Sequence, residues 1–416
     1  MNQLIYLNCA ATSLRRPPCV AEAVVRAMSS GGNAARGTSV GEMSSARGEY
    51  ACREALAGLL GFGHPDRLVF AANATQALNT AIMGVARPGD VLVGTDWDHN
   101  SILRPLHECR DFRGCEVRFV TAGRDGQLDL SRLDDLLDGA RLLCLTHASN
   151  LTGDRLTFGQ VRDAVACAHD HGALVLLDCS QTAGCVPVPM DAMGVDLLAV
   201  TGHKALMGPT GTGALLVAPG VDVHPLLSGG TGVLSFEEHQ PAAFPEHLEA
   251  GTLNAHGIAG LLASVEWIAK KRVDTIQAHD DVLRHRLVEG LQAIPGVTVY
   301  GREDAPHSPA VAMNLAGWES SELADALAQD YGIATRAGAH CAPRMHCALG
   351  TQDLGAVRLS FGWFNTQEEI DLAVEAVAEL AAEDAAEDEG AAAGGAAAGG
   401  AAAGGAAAGA AREAGA

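Results

Sequence analysis

The feature that most constrains this chain is a repeated alternation. Short apolar runs bounded by turn residues are separated by longer stretches of helical period. The runs are Val91–Gly94, Val117–Val120, Leu142–Thr146, Ala173–Asp178, Asp196–Thr201 and Gly213–Ala218. Between them lie segments that read as helices: Thr75–Ala86, Asn100–Arg113, Leu130–Leu137 and Thr157–His171. Runs that are apolar at nearly every position suit strands covered by helices on both faces. The expectation is an α/β domain on a mainly parallel sheet.

After about residue 265 the texture changes. Two amphipathic segments, Ile258–Lys271 and Val273–Ala293, lead into a β-rich stretch and a closing helix from Thr366 to roughly Glu383. That reads as a smaller α+β domain. The expected organisation is an N-terminal segment over 1–15 packing with the small domain, a large α/β domain over 16–265, the small domain over 266–388, and a disordered tail over 389–416. The tail is almost pure Ala and Gly and follows an acidic stretch, Glu383–Glu389. It lacks the large apolar side chains of a membrane span.

Charge narrows the partners. With 50 acidic against 28 basic residues the net charge is -22, which repels nucleic acid and anionic membranes, so neither is expected as a partner. The start, Met1–Tyr6, has no cationic cluster or long apolar stretch and reads as cytoplasmic rather than secreted. Eleven cysteines occur without a Cys-x-x-Cys pair, and each is expected to be a small buried hydrophobe unless a specific argument says otherwise.

Open parallel sheets bind ligands outside the carboxyl ends of their strands. Three runs end in polar residues there: His147-Ala148-Ser149-Asn150, Asp178-Cys179-Ser180-Gln181 and Thr201-Gly202-His203-Lys204. A cofactor with an aldehyde, a phosphate and a basic ring nitrogen needs an amine, anion-binding groups and a carboxylate at one place. Lys204 offers the amine and Asp178 the carboxylate. Taken singly, Asp178 reads equally as a cap or salt-bridge partner and Lys204 as a surface charge. The helix start near Ala74 and Thr75 attracts a phosphate through free N–H groups and the helix dipole. Thr201 and His203 add donors. The Gly208–Gly213 run reads either as a phosphate loop or as the turn into the next strand.

These residues, with Arg336-Ala337-Gly338-Ala339-His340-Cys341-Ala342-Pro343, resemble the class V aminotransferase family and its NifS-related cysteine desulfurases, specifically the SufS-like branch. The resemblance runs from Leu7 to Glu369 and implies the fold type I of pyridoxal 5'-phosphate (PLP) enzymes. It implies that Lys204 carries the cofactor, Asp178 pairs with the ring nitrogen, Gln181 bonds the ring hydroxyl and His99 stacks on the ring and relays protons. Ala74, Thr75, Thr201 and His203 would hold the phosphate. Asn150 would lie near the substrate carboxylate and Arg358 would grip it. Family members are dimers, and Gly251-Thr252-Leu253-Asn254 matches the segment whose threonine, here Thr252, completes the partner's phosphate pocket.

The reaction implied is conversion of L-cysteine to L-alanine, with sulfur passed to Cys341 as a persulfide and then to an acceptor protein. A thiolate is the nucleophile in such a step, which needs an electropositive, partly exposed setting. Arg336 and His340 supply the basic neighbours, and Gly338 and Pro343 suggest a turn. The other ten cysteines keep the buried expectation. Seventeen positions, 341 to 358, leave Cys341 a short arm, which suits an acceptor that comes to the site.

The family usually reads Leu-Asp-Asn-Ala-Ala-Thr where this chain has Leu7-Asn8-Cys9-Ala10-Ala11-Thr12, and has a histidine soon after Arg-Gly where this chain reads Arg36-Gly37-Thr38-Ser39-Val40. Both departures are expected to leave the catalytic set untouched. Selenocysteine lyase, acting on L-selenocysteine, is the nearest rival function. A rival of another class is a metal-binding interaction module using His340, Cys341, His346 and Cys347, whose side-by-side pairs lack the usual spacing. No metal site is expected.

Overall fold

The structure, a computed structural model, describes residues 4–30 and 40–383. The Arg36–Ser39 departure, the acidic stretch beyond Glu383 and the Ala/Gly tail lie outside the described residues.

The first two-thirds of the chain contains β1 (Ile5–Tyr6), α1 (Pro18–Ser30), α2 (Val40–Leu59), β2 (Leu68–Ala71), α3 (Ala74–Val85), β3 (Val91–Thr95), α4 (Asn100–Arg113), β4 (Glu116–Val120), α5 (Leu133–Leu136), β5 (Ala140–Thr146), α6 (Phe158–Asp170), β6 (Leu174–Asp178), α7 (Met190–Met193), β7 (Leu197–Thr201) and β8 (Gly213–Val217). Then follow α8 (Ala255–Lys271), α9 (Val273–Gln292), β9 (Val297–Tyr300), β10 (Ala310–Leu315), α10 (Ser320–Asp330), β11 (Ile333–Ala334), α11 (Pro343–Leu349), β12 (Val357–Ser360) and a last helix, α12, over 367–383.

Seven strands form one sheet in the order β2-β8-β7-β6-β5-β3-β4. Only β8 runs against its neighbours; the other pairs that link β7 through β4 are parallel. The apolar runs are buried on both faces because alternate residues point to opposite sides. In β6, Val175 and Leu177 join one core cluster while Leu176 joins the other. The first cluster is closed by α2, α6 and α8, the second by α3 and α4. The expected α/β fold with a mainly parallel sheet is present. Strand β2, which periodicity did not single out, is a four-residue edge strand.

Helix ends follow local chemistry. Thr157 and Gln160 form a reciprocal capping box at the start of α6. Gly114, at φ 65°, ends α4 in the left-handed conformation that glycine adopts without steric cost. The three-residue 3₁₀ turn Leu130–Arg132 and the four-residue α5 replace the single helix expected over Leu130–Leu137.

A third core cluster joins α9, α10, α12 and the antiparallel sheet β12-β10-β9. Ile5 and Leu7 belong to it, and β1 pairs in parallel with β11. Residue 265 falls inside α8, and the chain leaves that helix at Arg272, which has φ 70°. No helix among the described residues is long and apolar enough to cross a membrane.

One buried charge in this packing is poorly served. Asp280, on α9, lines a small apolar cavity with Cys9, Phe361 and Trp363. Its Oδ1 faces His279 Nδ1 at 3.2 Å, while Oδ2 is buried with no hydrogen-bond partner among the described residues. Burial pushes the carboxyl up to about 6 from 3.8, with His279 opposing the rise. A raised carboxyl pKa stabilises the fold below the unfolded value and loses that contribution as pH rises through the folded value. Asp280→Asn is expected to raise the thermal midpoint at pH 7, by on the order of 2 kcal/mol in stability, with the gain shrinking towards pH 4. A gain equal at both pH values would show that the carboxyl is not strained.

Candidate active site

Parallel register brings the polar strand ends together. Thr146 on β5 lies opposite Asp178 on β6, and Asp178 lies opposite Ala199 on β7, two residues before Thr201. The chain then turns at Gly202 into the segment carrying His203 and Lys204. A side chain at Gly202 would put its Cβ 2.0 Å from Thr212 Oγ1, so glycine is required where the β7–β8 turn closes. The Gly202 N–H donates to Thr212 O and the Gly208 N–H to Gly202 O, which makes the Gly208–Gly213 run the turn into β8. Residues 208–213 do not line the cavity at the strand ends.

That cavity, of about 220 Å³, is lined by Ala74, Thr75, His99, Asn150, Asp178, Gln181, Thr201, His203, Lys204 and Arg358. Ten of the twelve expected site residues therefore share one space. Thr252 is elsewhere: it lines a second cavity with Gly211, Thr212 and Gly213. Cys341 is not among the lining residues; its carbonyl accepts from the Asn100 N–H at 2.8 Å.

Helix α3 points its N-terminus at the cavity. Asn73 caps it, its Oδ1 accepting from the Gln76 N–H at 3.0 Å, and the first-turn N–H groups of a helix have no intrahelical partner. Thr201 Oγ1, also on the cavity wall, is buried without a partner among the described residues. His203 Nδ1 lies 3.1 Å from Thr12 Oγ1. Donors of this kind suit an anion such as a phosphate.

Asp178 is 5% exposed, and the Ser180 N–H donates to its Oδ1 at 2.9 Å. Burial raises its carboxyl; the Ser180 hydrogen bonds and the Lys204 charge oppose the rise. Burial also lowers Lys204 to about 8, with Arg358 and Arg336 adding to the fall and Asp178 resisting it. His99 drops to about 4 through burial, then through the charges of Lys204, Arg336, Arg358 and Arg104. It is neutral at pH 7. The Ser101 N–H donates to its Nδ1 at 3.0 Å, which leaves the ring proton on Nε2.

Arg358 is 1% exposed on β12 and donates from Nη1 to Asn150 O at 2.7 Å. Its Nη2 reaches Asn8 Oδ1 at 3.3 Å, and its Nε is buried with no partner among the described residues. Burial and Arg336 lower it to about 9. Asn8, one of the two departures noted in the sequence, thus sets a neutral amide against Arg358.

Cys341 is partly exposed on a turn, with Arg336 Nη2 3.9 Å from its Sγ. His340 and Cys341 both have left-handed backbones, φ 50° and 56°. Asn150 Nδ2 donates to His340 O at 2.8 Å and holds that turn. The expectation that the other ten cysteines are buried fails for four: Cys9, Cys19 and Cys167 are partly exposed and Cys347 is exposed, on the short α11.

Sequence reasoning passed over several residues that act here. Ser101 bridges His99 Nδ1 at 2.9 Å and Thr75 Oγ1 at 2.8 Å. Arg336, noted only as a neighbour of Cys341, is itself a cavity wall. Asp98, fully buried, accepts from the Thr95 N–H and from the hydroxyls of Thr95 and Thr146, and burial lifts its carboxyl to about 7. The signal for Asp98 was its place beside His99.

A helix start with free N–H groups, a buried carboxylate, an amine of lowered basicity and a neutral imidazole in one cavity fit PLP. Comparison with known proteins agrees. Residues 5–373 match the aminotransferase class-V family. The chain is 34% identical over 390 residues to a probable cysteine desulfurase of Methanothermobacter thermautotrophicus, covering 91% of this chain and 94% of the relative. The apo structure of a cysteine desulfurase from Thermococcus onnurineus superposes with TM-score 0.86 at 30% identity, over 92% of this chain and 96% of the other. A cysteine desulfurase of Escherichia coli, crystallised as an S-sulfonic acid, superposes with TM-score 0.82 at 30% identity, over 91% and 95%. The chain belongs to the class-V aminotransferase family, among its cysteine desulfurases.

Proposed function

We propose that this protein removes sulfur from L-cysteine, releasing L-alanine and holding the sulfur as a persulfide on Cys341 for an acceptor protein. The observation that carries this is the cavity in which Lys204, Asp178, His99 and Arg358 meet, with Arg336 reaching from its wall to Cys341 Sγ. PLP bound there supplies an electron sink for the charge left when a proton leaves the substrate α-carbon. Its phosphate would be held by the start of α3, Thr201 and His203, and its ring by Asp178, Gln181 and His99.

Lys204, with basicity lowered towards neutrality, takes and returns that proton. Arg358 and Arg336 together bind the substrate carboxylate. The Cys341 thiolate attacks the substrate sulfur, forming an S–S bond as the C–S bond breaks; the electron pair goes to carbon, which takes a proton to become the methyl of alanine. Arg336 stabilises the attacking thiolate.

The same reading takes 16–265 as the cofactor-binding body, 266–388 as the small domain with 1–15 packed on it, and the cytoplasm as the location. It also takes the protein as a homodimer. Support for the dimer is that Thr252 lies outside its own chain's cavity, where it is free to serve a second copy.

Three outcomes test this. Cys341→Ala should abolish alanine formation from L-cysteine while keeping the bound cofactor's absorption; alkylation and mass spectrometry of the wild type after cysteine treatment should find the added sulfur on Cys341. Undiminished alanine formation by the variant would refute the thiol's role, and running L-selenocysteine beside it separates the lyase activity. Asn8→Asp should raise KM for cysteine about tenfold, about 1.4 kcal/mol, by setting a competing carboxylate against Arg358. Cofactor uptake by the apoprotein, which needs the neutral Lys204 amine, should rise with pH through about 8. In Arg336→Gln, with one cation fewer, the midpoint should move to higher pH; a midpoint that stays or falls would dissociate Arg336 from Lys204.

A further inference from the structure

Away from the cavity, three side chains with metal-ligand chemistry converge. They are Asp134 on α5, Cys167 on α6 and His171 at the C-terminal cap of α6. Their ligand atoms all lie within 4.8 Å of one another, and His171 Nε2 is 2.9 Å from Asp134 Oδ1. This is the one such group of three among the described residues. The His340, Cys341, His346 and Cys347 set considered from sequence does not form one.

The placement follows from the fold. Residues four apart lie on one helical face, so Cys167 and His171 approach a common point from the same side. Asp134 meets them from α5, which packs on α6. Zinc bonds of about 2.0–2.3 Å in a tetrahedron set ligand atoms roughly 3.3–3.8 Å apart. The observed spread, within 4.8 Å, is at most about 1 Å wider than that. Access is open: the Asp134 side chain is 83% exposed and His171 24%.

We propose that Asp134 Oδ1, Cys167 Sγ and His171 Nε2 bind a zinc-like divalent transition-metal ion, with water in the fourth position. Thiolate and imidazole favour such an ion over magnesium or calcium, which prefer oxygen alone. The surroundings are anionic, since Asp134 and Asp170 both act on Cys167 and, with burial, hold its thiol protonated. A dication reverses that bias. On binding, the Cys167 S–H bond gives its proton to solvent, the ring proton between His171 Nε2 and Asp134 Oδ1 gives way to the ion and the imidazole carries its proton on Nδ1, and no electron is transferred. The ion ties α5 to the end of α6. None of the three residues lines the cofactor cavity, so the site is separate from the proposed chemistry.

Cobalt(II) is the probe. Chelator-treated holoenzyme titrated with cobalt should take up one ion per chain with a thiolate-to-cobalt band, and with visible bands at longer wavelength than the cofactor absorbs. Zinc should displace it. Cys167→Ala and, separately, His171→Asn should lose these bands or weaken binding at least ~100-fold, beyond the 10–100-fold that outer partners of a metal site contribute. Circular dichroism confirms that each variant is folded, and Cys347→Ala should bind as the wild type does. A wild type without the thiolate band, or a band that persists in Cys167→Ala, overturns the proposal. Either result leaves the cysteine chemistry at Cys341 unaffected.

Discussion

The carboxylate of Asp178 is the charge around which the rest of the cavity is arranged. It sits buried at the end of β6, in register with Thr146 and Ala199, where the sheet leaves no room for it to turn to solvent. Around it the fold gathers Lys204, Arg336 and Arg358. One anion against three cations leaves the cavity electropositive, and burial makes that surplus costly. Lowered basicity of Lys204 and Arg358 is the visible result. Ligands carrying phosphate and carboxylate offset that surplus, so the same charge that disfavours the buried cations selects what binds there.

How much of this was legible depended on whether the cause was local. The parallel strands could be read because strands covered on both faces are apolar at nearly every position, and the ends of those runs named Asp178, Thr201 and Lys204. Helix starts near residues 74 and 100 could be read because capping is decided within four residues. What could not be read was juxtaposition across the chain. Asn8 meets Arg358 over 350 positions, Asn150 meets the His340 carbonyl over 190, and Ser101 links His99 to Thr75 only because α3 and α4 pack together. The strand β2 is short, lies at the sheet edge and pairs with the reversed β8, so no period marked it. The Asp134, Cys167 and His171 group is of the same kind, since the tertiary contact of α5 with α6 is what brings it together.

Asn150 shows how economically the site is joined. Its carbonyl accepts from Arg358, and its side-chain amide donates to the carbonyl of His340. One residue thus holds both Arg358 and the turn that carries Cys341, a shared support rather than separate ones.

The left-handed backbone at His340 and Cys341 has a consequence for transport. Non-glycine residues in that conformation cost roughly 1–2 kcal/mol each, and the turn keeps it because the Asn100 N–H and the Asn150 side-chain amide donate to its carbonyls and hold it in place. A thiol mounted so rigidly has little reach of its own. If Cys341 holds sulfur as proposed, that sulfur leaves only when another reactant collides with the turn, so export is second order and its flux scales with the concentration of whatever arrives.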